Sequence, residues 1–235
     1  MKKLVSLLII LSLAAALWLP AFAADVQLKE DGQIMAVTDG LSALVDAQGG
    51  LWMCGFESNL PGKVKANSVN PYDIPIQTVP LKVMEQVRAV SLGESHYAVL
   101  KEDGILWMWG NTESGKIGNG FGYDEAKENS WGETVYAQRE PVQVLDRVRR
   151  VSCGSTTTAA IRDDGTLWMW GSTDLIGNGV PGDSRDAYGS ALQSVPVQVM
   201  TEVIDVSCGG SLTAIFNRLF SCNHFDHLLY CPKIG

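Results

Sequence analysis

Ala98-Val99-Leu100-Lys101-Glu102-Asp103-Gly104-Ile105-Leu106-Trp107-Met108-Trp109-Gly110 reads as two strands joined by a tight turn. Residues 97–100 and 105–109 are the apolar runs, and Asp103-Gly104 between them supplies the positive φ that a tight hairpin requires. The stretch occurs three times. Ala43-Leu44-Val45-Asp46-Ala47-Gln48-Gly49-Gly50-Leu51-Trp52-Met53-Cys54-Gly55 precedes it, and Ala159-Ala160-Ile161-Arg162-Asp163-Asp164-Gly165-Thr166-Leu167-Trp168-Met169-Trp170-Gly171 follows, both without gaps. The leading tryptophans fall at 52, 107 and 168, so the spacing is 55 and then 61.

Outward from this hairpin the repetition continues. A Val-Ser-x-Gly element recurs as Val90-Ser91-Leu92-Gly93, Val151-Ser152-Cys153-Gly154 and Val206-Ser207-Cys208-Gly209. Before each stands a strand headed by proline, at Pro80, Pro141 and Pro196, where a missing N–H costs no ladder bond. The mature chain carries no sustained 3.6-residue period. Repeats of this length with several short strands each predict β-propeller blades, four-stranded and antiparallel, in an all-β chain. Trp52, Trp107 and Trp168 are expected at equivalent, buried positions.

The pattern Ala-x-x-x-x-Asp-Gly-x-Leu-Trp-x-Trp-Gly, followed by Gly-x-x-Gly-Asn-Gly, resembles the repeat of the regulator of chromosome condensation family over most of residues 30–217. The resemblance implies a seven-bladed propeller, of which this chain would hold about three and a half blades as an open arc. It includes exported bacterial members, one group of which inhibits β-lactamases through loops on one propeller face. Its eukaryotic members act as nuclear guanine nucleotide exchange factors, an activity that does not suit an exported chain. The resemblance bears on fold more than on activity. The repeat residues it singles out are Gly49, Trp52, Gly55, Asp103, Gly104, Trp107, Gly110, Asp164, Gly165, Trp168 and Gly171.

Both ends of the chain depart from the pattern. Lys2 and Lys3, an apolar run over 4–19 and the small-residue site Ala21-Phe22-Ala23 have the layout of a secretory signal peptide, cut before Ala24. Its removal takes the formal charge from −8 to about −10. No later stretch is apolar enough to span a bilayer as a helix, so a secreted or cell-envelope protein without stable membrane insertion is expected. The repeat occupies 24–217 as a partial propeller. The fourth copy begins at Val206 and fails after about a dozen residues. Residues 218–235 read as a divergent tail, like the end of a truncated or frame-shifted gene.

Composition excludes some functions. With 46% hydrophobic residues the chain can bury a core, and a net charge of −8 without a basic run argues against nucleic acid. Gly110-Asn111-Thr112-Glu113-Ser114-Gly115-Lys116 fits seven positions of a phosphate-binding loop. Ile117 follows where a hydroxyl is required, so the segment reads as a repeat turn. Cys222, His224, His227 and Cys231 have metal-ligand spacing, but they lie in the tail, where chance composition is the simpler account. His96 aligns with Leu41 and Thr157, and Asp103 and Asp164 share one turn slot, so neither set suggests catalysis. Cys54, Cys153 and Cys208 read as small buried residues, leaving Cys222 and Cys231 as the one plausible pair. No enzyme and no cofactor are expected.

The informative segments are the long connections 56–79, 111–140 and 172–195. Loops of this length are uncommon unless they serve a function or are disordered. They carry Tyr72, Phe121, Tyr123, Trp131, Tyr136 and Tyr188, and repetition puts all three on one side. Two readings follow: a scaffold binding an extracellular protein, or a carbohydrate or cell-envelope binding module whose aromatics stack on sugars. An open arc is also expected to self-associate through its exposed blade faces.

Overall fold

The computed structural model describes residues 34–121, 126–128, 134–177, 179, 181–186, 189–210, 212–217 and 229–230. These residues form four antiparallel sheets, three of them alike. In blade I, Met35–Thr38, Leu41–Val45, Leu51–Phe56 and Pro75–Met84 pair in that order, and Ser68–Val69 adds a short outer strand. Blade II repeats this with Val87–Leu92, His96–Lys101, Leu106–Asn111, Thr134–Leu145 and the outer Ala126–Glu128. Blade III uses Val148–Cys153, Thr157–Arg162, Leu167–Ser172, Ala191–Met200 and the outer Ser184–Arg185. The register is the same each time, with Leu44, Val99 and Ala160 opposite Trp52, Trp107 and Trp168. The predicted all-β blades of four principal strands are present, and among the described residues no sheet closes on itself.

Blade IV holds Val203–Cys208, Thr213–Asn217 and Leu229–Tyr230. Leu229 lies opposite Ile215, the place that Trp168 takes opposite Ala160. Two tail residues thus contribute backbone to the third-strand position, which the 55-residue offset assigned to Asn223.

Hairpin geometry follows from the turn residues. Gly49, Gly104 and Gly165 adopt φ of 78°, 79° and 79°, a region that a side chain disfavours. Asp103 Oδ1 accepts the Ile105 amide and Asp164 Oδ1 that of Thr166, each at 3.0 Å, so these carboxylates hold turns. The same turns reach the next blade: the carbonyls of Gly49, Gly104 and Gly165 accept the amides of Val87, Val148 and Val203 at 2.8–2.9 Å.

The core sits between blades. Alternation along a strand sends successive side chains to opposite faces, and both faces of a central blade are covered. Tyr97, Val99 and Trp109 pack with Leu41, Val45 and Met53 of blade I. Ala98, Leu100, Leu106 and Met108 pack instead with Val148, Val151 and Trp170 of blade III. One Leu-Trp-Met-Trp strand therefore serves two cores. Burying each such side chain contributes about 1.5–3 kcal/mol. Among the described residues Trp109 and Trp170 are the fully buried tryptophans. Trp52, Trp107 and Trp168 are equivalent but only half-buried, contrary to expectation, because they lie towards the open turn end of the strand. Arg162 lies over the Trp168 ring, 4.4 Å from its centroid.

The prolines do not head their strands. Pro80, Pro141 and Pro196 sit in the middle of the fourth strands, where pairing to the third strand shifts register. A bulge tolerates the missing N–H as well as a strand start does. Each bulge is clamped by the glutamine three residues earlier. The side-chain amides of Gln77, Gln138 and Gln193 donate to the carbonyls of Val79, Glu140 and Val195 at 2.6, 2.6 and 3.0 Å.

Candidate functional site

The long connections are not loops throughout. Their second halves extend the fourth strands, and the short outer strands fold back on them, so each blade ends in a projecting hairpin. Ser68 pairs with Ile76, Lys127 with Val135 and Ser184 with Leu192. Because this register repeats, the hairpin tips share one side of the arc.

Two tips are built alike. In blade I, Asn70 Oδ1 accepts the amides of Tyr72 and Ile74 at 2.9 and 3.0 Å, and Asp73 takes φ of 59°. In blade III, Asp186 Oδ1 accepts the amide of Ser190 at 2.8 Å, and Gly189 takes φ of 83°. Asn70 and Asp186 thus close their turns alike: each side chain accepts the amide four residues on, and each backbone carbonyl accepts the amide three residues on. Tyr72 stands at the apex of the first, 83% exposed, with the exposed Val69 and Ile74 beside it. That is an apolar tip held by polar backbone bonds.

The segments after the third strands join neighbouring blades along this side. The amide of Gly62 donates to Arg139 of blade II at 2.8 Å, and that of Gly120 to Ser194 of blade III at 3.0 Å. Arg139 Nη2 also donates to the Glu57 carbonyl at 2.9 Å. Phe121 follows Gly120 and is 43% exposed. Of the six aromatics, Tyr72 and Phe121 therefore lie exposed on one side. Tyr136 lies in the Thr134–Leu145 strand, and Tyr123, Trp131 and Tyr188 lie outside the described residues.

The other sequence candidates have structural surroundings. Lys116 of the phosphate-loop-like stretch is buried, and its Nζ donates to Ser95 Oγ at 2.9 Å. Burial lowers its pKa, against the opposing charges of Glu113 and Glu94. His96 is fully buried, with Nε2 2.8 Å from Thr158 Oγ1 of blade III. Burial, with the charge of Lys116, takes its pKa down to about 3. Cys153 is buried and its thiol is pushed up to about 12, first by desolvation. Cys54 and Cys208, expected to be buried, are half-buried instead, Cys54 because it lies on the upstream face of the first blade. All three are free thiols. Cys222, His224, His227 and Cys231 lie outside the described residues.

Sequence reading missed the Gln-x-x-Pro clamp and the Asx-closed tips. Both were written in the chain as Gln77…Pro80, Gln138…Pro141 and Gln193…Pro196, and as Asn70-x-Tyr72 and Asp186-x-Tyr188.

Comparison with known proteins agrees with the repeat. The regulator of chromosome condensation (RCC1) repeat model matches residues 87–116 and 148–174. The human E3 ubiquitin-protein ligase HERC2 is 29% identical over 199 residues, covering 80% of this chain and 4% of that protein. The human X-linked retinitis pigmentosa GTPase regulator is 30% identical over 133 residues, 57% of this chain and 12% of that protein. The chain thus spans a small part of these relatives' length. Among solved structures, yeast RCC1 (Prp20) bound to Kap60 superposes with a TM-score of 0.58 at 19% identity, covering 79% of this chain and 41% of that one. Human WBSCR16 superposes with 0.56 at 20% identity, covering 81% and 47%. The recurring hairpin, the sheet order and these matches show that the chain carries repeats of the regulator of chromosome condensation type, with the fold that those repeats build.

Proposed function

We propose that this chain is a non-enzymatic, exported scaffold that binds a protein partner through the hairpin tips on one side of the arc. The observation that carries the reading is Tyr72, flanked by Val69 and Ile74, on a tip whose Asx turn recurs in blade III. An exposed aromatic on a turn fixed by backbone hydrogen bonds loses little entropy on binding, which suits a contact anchor. Yeast RCC1, which shares the fold, is itself seen bound to a protein. Export rests on the sequence of residues 1–23, and the partner is accordingly an extracellular or envelope protein.

The test uses the purified chain and a Val69→Asp/Tyr72→Asp/Ile74→Asp variant. Each is used to capture proteins from the extracellular and envelope fractions of the source cells, followed by titration of the captured protein. Binding by the parent chain and its loss in the variant is the expected result. Retention on purified cell-envelope polymer, with no protein captured, would instead favour the carbohydrate-binding alternative, in which Tyr72 and Phe121 stack on sugars. Equal capture by parent and variant would remove the tips from the function.

A further inference from the structure

One backbone link between blades occurs twice on the tip side, and its two copies carry opposite side-chain chemistry. At the seam of blades I and II the Gly62 amide donates to the Arg139 carbonyl; at that of blades II and III the Gly120 amide donates to the Ser194 carbonyl. Arg139 and Ser194 each follow the clamping glutamine, so the seams are equivalent in register. Both glycines have positive φ, 69° and 86°. Each lies over the next residue of the fourth strand. A Cβ on Gly62 would stand 3.4 Å from Glu140 Oε2, and one on Gly120 3.8 Å from Val195 Cγ1. Lacking side chains, the glycines leave Glu140 and Val195 exposed.

The residue after each glycine completes the seam: Lys63 at the first and Phe121 at the second. Lys63 and Lys65 are exposed and alternate with the half-buried Val64 and Ala66, and Val64 packs on the core, so both ammonium groups face away from the blade. Among the described residues neither makes a hydrogen bond or an ion pair. Arg139 is exposed too, with Nη2 held by the Glu57 carbonyl. Against these three cations stand Glu140 and Glu57, and the Glu57 carboxylate already accepts the Ala66 amide at 2.6 Å. The first seam therefore carries a surplus of positive charge on a chain of net charge −8. At the second seam Ser194 and Val195 replace Arg139 and Glu140. Asp183 beside them is engaged by the Ser194 amide and by Gln193 Nε2. What this seam exposes is apolar, Phe121 and Val195 at 43% each.

We propose that the two seams together recognise one segment of a protein partner, a carboxylate of the segment lying against Lys63 and Lys65 and a bulky apolar side chain over Phe121 and Val195. The first seam suits a carboxylate because its ammonium groups are not paired within the described chain. The second suits an apolar side chain because its two exposed residues gain by losing water and leave no charge to desolvate. A segment with Lys or Arg in the acidic place meets like charge and is refused. The inference rests on the protein-binding reading of this side of the arc, but not on the hairpin tips themselves.

Selection of phage-displayed random peptides on the purified chain tests the proposal, with Lys63→Glu/Lys65→Glu and Phe121→Asp/Val195→Asp variants selected in parallel. All four positions are exposed, and circular dichroism checks that each variant keeps the parent fold. The parent is expected to enrich peptides that combine Asp or Glu with Phe, Leu or Ile. The Lys63→Glu/Lys65→Glu variant is expected to exchange the acidic residue for Lys or Arg, a change of preference that lost stability would not produce. The affinity of a parent-selected peptide, read by fluorescence anisotropy, is expected to fall at least about tenfold in each variant, and to fall with added salt. No enrichment on the parent would overturn the proposal, as would the same peptides enriched on parent and variants alike. The Val69→Asp/Tyr72→Asp/Ile74→Asp variant separates the two readings. If it binds the selected peptide like the parent, the seams act without the tips. If it alone loses binding, the tips form the contact and the seam proposal fails. Should Phe121→Asp/Val195→Asp not fold, Phe121→Ser takes its place in every comparison.

Discussion

Trp170 of blade III donates its indole N–H to the backbone carbonyl of Lys116 in blade II at 2.9 Å. Trp109 does the same to Asn59 of blade I at 3.0 Å. The second tryptophan of each repeat thus fills a junction and satisfies a carbonyl across it. Trp170→Ala is expected to cost about 3–5 kcal/mol, since it removes a fully buried ring. Trp52→Ala, at a half-buried position, is expected to cost about 1–2 kcal/mol. Urea unfolding followed by circular dichroism measures both, and equal losses would contradict the distinction.

Glycine sensitivity should follow space and φ rather than the repeat alone. Gly171 has φ of 112°, and a Cβ there would stand 2.2 Å from the Thr156 carbonyl oxygen. Gly210 has open space around it and no such φ. Gly171→Ala is expected to lose more than about 2 kcal/mol, and Gly210→Ala to stay within about 0.5 kcal/mol of the parent. The same unfolding curves decide between them.

His96 gives a pH dependence of definite sign. Its pKa falls from 6.5 to about 3 on folding, through burial and then the charge of Lys116. Below pH 6.5 the unfolded chain takes up a proton that the folded chain refuses, so stability declines as pH falls from 6.5 towards 3. The slope from this group is at most about 1.4 kcal/mol per pH unit. His96→Leu, the residue of blade I at this position, is expected to flatten the stability profile between about pH 4 and 6.5. An unchanged profile would mean that another group carries the dependence.

The glutamine clamp should act locally. Gln193 is buried, and its Nε2 donates to both Val195 O and Asp183 Oδ2, at 3.0 and 2.9 Å. Gln193→Leu is expected to cost about 0.5–1.5 kcal/mol by removing the clamp's hydrogen bonds. Hydrogen exchange should rise around residues 183–195 more than in blade I. A uniform rise across the chain would show that the clamp belongs to the global core.

The hairpin at 98–110 was legible because its turn residues and alternation act over a few neighbouring positions. The identity of the deeply buried tryptophan was not, since burial depends on the adjacent blade: Trp107 and Trp109 lie on the same side of one strand and differ in how far the neighbour reaches. The proline bulges were misplaced for a related reason. A proline is compatible with a strand start or with a bulge, and only pairing with the third strand selects the bulge. The buried contact of His96 with Thr158 joins residues 62 positions apart, a separation at which local pattern carries no information. That the long connections recur once per blade was legible from the repeat, while the Asx turn that raises Tyr72 depends on hydrogen bonds to Asn70 that the pattern does not display.

The register break at Pro80, Pro141 and Pro196 makes each hairpin a cassette. Inward of the break the fourth strand is committed to its blade; outward of it two further pairs to the third strand, such as Gly55 with Gln77 and Phe56 with Ile76, hold the base, and beyond them the chain is fixed by its own ladder. The spacing between tryptophans changes from 55 to 61 residues, while the register opposite Trp52, Trp107 and Trp168 does not shift by a single residue. Length and sequence can therefore change at the tips without reaching the core, so a foreign hairpin grafted between Ser68 and Ile76 is expected to leave the blade unchanged.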